Sequence, residues 1–152
     1  MNDPYSKAFN LALRNLSRRA KTIFEIKLVL SSKGVEPMVT EEVVQRLVEL
    51  NYLDDKAFAR QFIDNRIRFK PKSTFALGYE LSCKGVAPSI ADELLSSLDN
   101  TQLAFNAVDR KQSQWQHLDQ DACKKKLMNY LRYRGFDHGV CQAAWQRFLK
   151  NK

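Results

Sequence analysis

Two histidines, three cysteines and three acidic pairs are the side chains of this 152-residue sequence that could do acid–base, nucleophilic or metal chemistry. His117 and His138 stand 21 residues apart, each near an expected helix boundary, where a lone imidazole reads as a solvated or capping group. Glu41-Glu42, Asp54-Asp55 and Asp92-Glu93 fall in or near the expected first turns of helices. The helix dipole favours negative charge there, so capping accounts for them without acid–base catalysis. Cys83, Cys123 and Cys141 contain no CxxC and are odd in number, which suggests neither a disulfide framework nor a zinc site. All three are expected to pack as small hydrophobes. No GxxxxGK, GxGxxG or HExxH occurs, and no base is placed to activate a serine or cysteine. The expectation is a protein that is not an enzyme and needs no cofactor or metal.

Charge offers a different chemistry. Lys and Arg number 25 against 17 Asp and Glu, a formal net charge of +8. The last third carries most of it: residues 1–50 are net +2, residues 51–100 are neutral and residues 101–152 are net +6. Three clusters lack intervening acids: Arg14, Arg18, Arg19 and Lys21; Arg66, Arg68, Lys70 and Lys72; and Lys124, Lys125 and Lys126, followed by Arg132 and Arg134. Cations near helix C-termini complement the dipole, but three clusters on a basic chain point to a polyanion or an acidic protein surface. Tyr79, Tyr130, Tyr133 and Trp115 are candidates for exposed contacts; Trp145 and Phe148 fall on an apolar stripe and read as core.

The elements that must present these residues follow from an internal repeat. Lys33-Gly34-Val35, Lys84-Gly85-Val86 and Arg134-Gly135-Phe136 place glycines 51 and then 50 residues apart. Aligned on Gly34, Gly85 and Gly135, seven columns are apolar in all three copies, where about two are expected by chance. They begin with Ile26, Leu77 and Leu127 and end with Leu47, Leu98 and Phe148. The offsets make two helical stripes with the glycine between them. A left-handed glycine ends the first helix, and Pro37, Pro88 or Asp137 starts the second. A third helix precedes each pair, starting at Asp3-Pro4 in the first copy and capped by Asp54 in the second. In the third copy it carries Ala104, Ala107 and Val108, and a longer loop follows at residues 112–120. The expected fold is all-α: three tandem three-helix repeats at residues 1–50, 51–98 and 99–152, nine helices in an elongated, curved array.

Gly and Pro number only 5 and 4, too few for an all-β sandwich or barrel. No apolar run approaches the roughly 18 residues of a membrane span, and no signal-peptide core is visible. A cytoplasmic monomer, away from membranes, is expected.

Three strings read together carry a resemblance: NYLDDKAFARQFIDNR from Asn51 to Arg66, ELSCKGV from Glu80 to Val86, and LRYRGF from Leu131 to Phe136. In this order and spacing the chain resembles the RecX family of bacterial regulatory proteins, from about Ala8 to Phe148. Asn51 stands where the family usually has Gly, and Asn tolerates the same left-handed turn. Phe69 to Ser73 replaces a Gly-containing turn of the family, with Pro71 to break and Ser73 to cap. The resemblance implies a curved array of three-helix repeats. It also implies a partner, the RecA recombinase and its filament on DNA, whose ATPase, strand exchange and filament growth would be restrained in the setting of DNA repair, recombination and the SOS response. It carries no catalytic residues. Its YLDD motif maps onto Tyr52, Leu53, Asp54 and Asp55, which read as a helix entry. The basic clusters are the candidate filament- or DNA-binding residues, with weak, non-specific DNA binding expected. Two other readings stand beside it: a generic basic helical DNA-binding protein, and a helical scaffold for another acidic protein.

Overall fold

Helix starts in this chain are set by short-range chemistry. The carboxylate of Asp3 accepts from Ser6 N–H at 2.7 Å and Pro4 follows it, which opens α1 (Pro4–Arg18). Thr22 and Glu25 form a reciprocal capping box at the head of α2 (Ile23–Ser32). Pro37 opens α3 (Pro37–Glu49), and Asp54 caps α4 (Asp55–Phe69) through Ala57 N–H. Ser73 Oγ accepts from Ala76 N–H to start α5 (Thr74–Cys83), and Pro88 opens α6 (Pro88–Leu95). Asp99 caps α7 (Asn100–Asp109), a single turn forms α8 (Gln112–Trp115), and Asp119 and Asp137 cap α9 (Gln120–Tyr133) and α10 (His138–Lys150). The computed structural model describes residues 3–151, and no strand occurs among them. The fold is therefore all-α, built on a repeat.

The repeated glycines do what their spacing predicts. Gly34, Gly85 and Gly135 have φ of +81°, +83° and +92°. Each closes a Schellman motif: Val35, Val86 and Phe136 N–H groups reach back to the carbonyls of Leu30, Leu81 and Leu131 at 3.0–3.1 Å. Asn51, at φ +65°, closes a fourth at the end of α3, with Tyr52 N–H on Leu47 O at 2.9 Å.

Two compact units form. One runs to Gln61 and takes in Leu81–Ala91; Ala8, Ala12, Ile26, Leu30, Val43 and Leu47 are among its buried apolar residues. The other holds Phe62–Glu80 and the chain from Asp92, around Leu103, Ala107, Leu127, Leu131, Ala144 and Phe148. The middle helices α4, α5 and α6 each contribute residues to both units.

Four sequence expectations need correction. Ten helices, not nine, are formed among the described residues, because the long loop of the third copy coils into α8. That turn folds Trp115 inward to 8% exposure, edge-on to the Tyr130 ring at 5.3 Å, so Trp115 is not an exposed contact. Cys83 is exposed rather than packed, since Leu77 and Leu81 take the inward face of α5; Cys123 and Cys141 are buried. Glu41-Glu42 and Asp92-Glu93 fall just past the first turns of α3 and α6, which open at Pro37 and Pro88 as expected, so they do not cap those helices; Glu41 pairs with Lys27 at 3.0 Å.

Candidate interaction surface

Tertiary pairing sorts the basic clusters into tied and free cations. In the first unit Arg14 and Arg18 sit one helical turn apart, exposed on α1. Arg19 leaves the helix in an extended conformation and turns back, donating to Ala20 O at 3.2 Å and to Glu25 Oε2 at 3.4 Å. Lys84 Nζ approaches the same carboxylate at 3.9 Å. Arg14, Arg18 and Lys21 make no ion pair among the described residues.

The second cluster divides in the same way. Arg66 donates through Nε and Nη2 to Glu80 Oε2 at 3.1 and 2.9 Å, and Lys72 Nζ donates to Oε1 at 2.9 Å. Burial pushes the Glu80 carboxyl up, but the bonds from Lys72 and Arg66 overcome it and hold the group below its ordinary range. The Arg66 guanidinium also lies over the Phe62 ring at 4.7 Å. These two cations thus clamp α4 to α5 across the turn at Pro71. Arg68 and Lys70 stay exposed, beside Phe69 at 70% exposure. Phe75 and Tyr79 follow one turn apart on α5, at 80% and 66%. Aromatic faces among cations suit both protein contacts and stacked bases.

In the third cluster Lys124, Lys125, Lys126 and Arg132 are exposed along α9 without ion pairs among the described residues, and Tyr133 next to them is 92% exposed. Arg134 differs. It donates to Pro71 O at 3.2 Å, lies over the Tyr130 ring at 4.4 Å and is half-buried, so it is structural. Three further cations and a carboxylate escape sequence reasoning. Arg110 caps the end of α4, donating to Arg68 O and Ile67 O at 2.6 and 3.2 Å. Arg147 forks onto Asp109 at 3.2 and 2.9 Å, and that pairing pushes its pKa further up. Lys111 sits 5.5 Å from the centre of the Tyr130 ring. No sequence signal marks these pairs or Glu80, because each joins separate helices.

The YLDD segment is a receptor as well as a helix entry. Leu53 is buried, Tyr52 is 56% exposed and Asp54 caps α4. Asp55 Oδ1 accepts Ile23 N–H from the head of α2 at 2.9 Å. Burial raises the Asp55 carboxyl above its ordinary value despite that bond, and the charges of Asp54 and Glu25 add to the rise. Beside it Thr22 Oγ1, fully buried, donates to Lys84 O at 2.6 Å. Thr22 and Ser73 both stand twelve residues before a repeat glycine, a shared hydroxyl that aligning the copies could have exposed.

The histidines lie outside any metal-binding arrangement. No group of three or more His, Cys, Asp or Glu suited to a metal occurs among the described residues. No helix among them is long and apolar enough to cross a membrane.

Comparison with known proteins sets this architecture in a family. Residues 8–47 match the family model described as the first three-helix domain of RecX, and residues 54–95 match the second. A regulatory protein RecX of Prosthecochloris aestuarii is 38% identical over 145 residues, covering 95% of both chains. The chain belongs to the RecX family. Another RecX, from Chlorobium limicola, is 36% identical over 145 residues, 95% of this chain and 91% of that one. The crystal structure of RecX from Lactobacillus salivarius superposes with a TM-score of 0.81 over 99% of each chain; at 21% identity it supports the fold alone. RecX proteins carry the name of regulatory proteins.

Proposed function

We propose that this protein binds the RecA recombinase and its filament on DNA, and lowers the ATPase and strand-exchange activity of that filament without performing catalysis itself. The carrying observation is the 38% identity to a regulatory protein RecX over 95% of both chains. The surface supports a binding role. Arg14, Arg18, Lys21, Arg68, Lys70, Lys124, Lys125, Lys126 and Arg132 stand free of ion pairs among the described residues, whereas Arg19, Arg66 and Lys72 are engaged within the fold. The free set supplies the candidate binding residues, Arg14, Arg18 and Lys21 on one unit and the rest on the other. A cytoplasmic site of action follows from that partner. Preformed RecA filaments on single-stranded DNA, sedimented with this protein at rising concentration, test the reading. Saturable co-sedimentation that bare DNA at the same concentration does not reproduce supports it; equal sedimentation with bare DNA rejects it.

A second reading has its own observation. Phe69, Phe75 and Tyr133 are strongly exposed near free cations, the composition of a single-strand platform. DNA bound directly there would be held weakly, with little sequence preference and with affinity falling steeply as salt rises.

A further inference from the structure

The repeats of this chain are joined by one recurring joint. In the second copy, a notch opens between the head of α4 and the turn at Gly85, and the head of α2 fills it. Thr22 Oγ1 donates to Lys84 O, Ile23 N–H donates to Asp55 Oδ1, and a methyl at Gly85 would lie 2.5 Å from Phe24 Cγ. In the third copy the notch lies between α7 and the turn at Gly135, and the head of α5 fills it. Ser73 N–H donates to Arg134 O at 3.0 Å, Thr74 N–H donates to Asn100 Oδ1 at 2.8 Å, and a methyl at Gly135 would lie 2.5 Å from Ser73 Oγ. Each plug is the first turn of a helix with a hydroxyl N-cap, and each seat is a left-handed glycine that leaves room for it.

The first copy has the seat and, among the described residues, no plug. A methyl at Gly34 would meet nothing within 4 Å. The space beside it, between α1 and the Gly34 turn, is a cavity of about 410 Å³ walled by Ala8, Leu11, Val35 and Val39. Lys7, Lys33 and Glu36 form its rim. Pro4 holds the position that Asp55 and Asn100 hold in the other copies, so the side-chain anchor for an incoming N–H is absent there while the apolar wall and the glycine seat remain.

We infer that this open notch is a docking site for a partner protein, which inserts the first turn of a helix with Ser or Thr at the N-cap, an aromatic residue two positions on and Glu at the third. Docking there would extend the internal joint to a seat that no described residue fills. Charge selects the Glu: in the filled joint Glu25, third in its helix, lies 3.9 Å from Lys84, and Lys33 stands at the matching place in the open one. A second copy of the chain does not supply the plug. Its two hydroxyl-capped helix heads, at Thr22 and Ser73, are buried in its own joints. The third copy has Cys123 at the matching position, buried within α9, because that helix begins four residues earlier. The site differs from the exposed cations of the proposed RecA surface, so the two readings fail separately.

The probe is an acetylated, amidated peptide of residues 20–33 of this chain, which carries the Thr22–Glu25 capping box. It is titrated to about 1 mM into the isotope-labelled full chain, with amide shifts followed by NMR. Saturable shifts at Lys33, Gly34, Val35 and Leu11 are expected. Val39→Trp, which fills the cavity at a partly exposed position, should abolish them while the rest of the spectrum keeps its folded dispersion. Lys33→Glu should weaken binding at least threefold, and a peptide carrying Glu25→Lys should recover it on that variant. Absence of saturable shifts, shifts centred on Gly85 or Gly135 instead, or indifference to Val39→Trp would each overturn the inference. Self-association of the chain that Val39→Trp removes would give the notch to a second copy and would also overturn it.

Discussion

Replacing each repeat glycine with alanine should give unequal losses of stability, although the three turns look alike in sequence. All three have φ between +81° and +92°, so each alanine costs about 1 kcal/mol for the left-handed backbone. At Gly34 that is the whole cost, because no atom lies within 4 Å of the new methyl. At Gly85 the methyl runs into the Cβ and ring of Phe24, and at Gly135 it falls 2.5 Å from Ser73 Oγ and 2.9 Å from Ala76 Cβ. Relieving such overlap in a packed joint costs about 1–3 kcal/mol more. Gly34→Ala should therefore lose about 1 kcal/mol, and Gly85→Ala and Gly135→Ala about 2–4 kcal/mol. Urea unfolding followed by far-UV circular dichroism measures the differences. Hydrogen exchange locates them: the Ile23 amide, bonded to Asp55, should lose protection in Gly85→Ala, and the Ser73 and Thr74 amides in Gly135→Ala. Equal losses at all three glycines, with unchanged exchange at the joints, would refute the plug-and-seat description.

Other substitutions probe the charged contacts. Glu80→Gln should cost about 1 kcal/mol at neutral pH, discounted for partial exposure. Because the folded-state carboxyl is depressed, wild type should lose this advantage as pH falls through that value, and thermal melts of the two should converge in acid. Asp55→Asn keeps the acceptor for Ile23 N–H, as Asn100 does for Thr74, and removes a charge that burial disfavours. Its stability relative to wild type should rise as pH climbs from the ordinary Asp range through the raised value of Asp55; a flat difference would contradict the buried-charge reading. Replacing Lys124, Lys125 and Lys126 with Gln should leave the melting temperature nearly unchanged and flatten the salt dependence of any DNA binding, whereas Arg66→Gln should destabilise the fold. A stability loss in the lysine triple variant comparable with that of Arg66→Gln would refute the division into free and tied cations.

What was legible in the sequence was local. Gly34, Gly85 and Gly135 stood out because a Schellman turn needs one residue type at one offset, and Asp3, Asp54 and Asp137 because an N-cap bonds only three residues ahead. Trp145 and Phe148 were readable as core from helical periodicity. Trp115 was not, since it lies in the stretch where the third copy is longer and no aligned column constrains it. The basic clusters were legible as runs of charge but not as a surface. Arg66 and Lys72 share Glu80 only because the chain reverses at Pro71, and Arg134 is drawn inward by Tyr130 and Pro71 O. The joints were half-legible: their glycine seats repeat visibly, but a hydroxyl becomes a plug only when a second helix supplies its acceptor.

The most direct test of the proposed regulatory role is the ATPase rate of RecA on single-stranded DNA, measured against concentration of this protein at two DNA concentrations and fixed RecA. A filament-directed regulator, acting through several contacts on one chain, should inhibit preformed filaments well below the concentration that coats the DNA. Its midpoint should stay in place when DNA is raised. A midpoint that moves in proportion to DNA would show simple coating by a basic protein and would contradict the account.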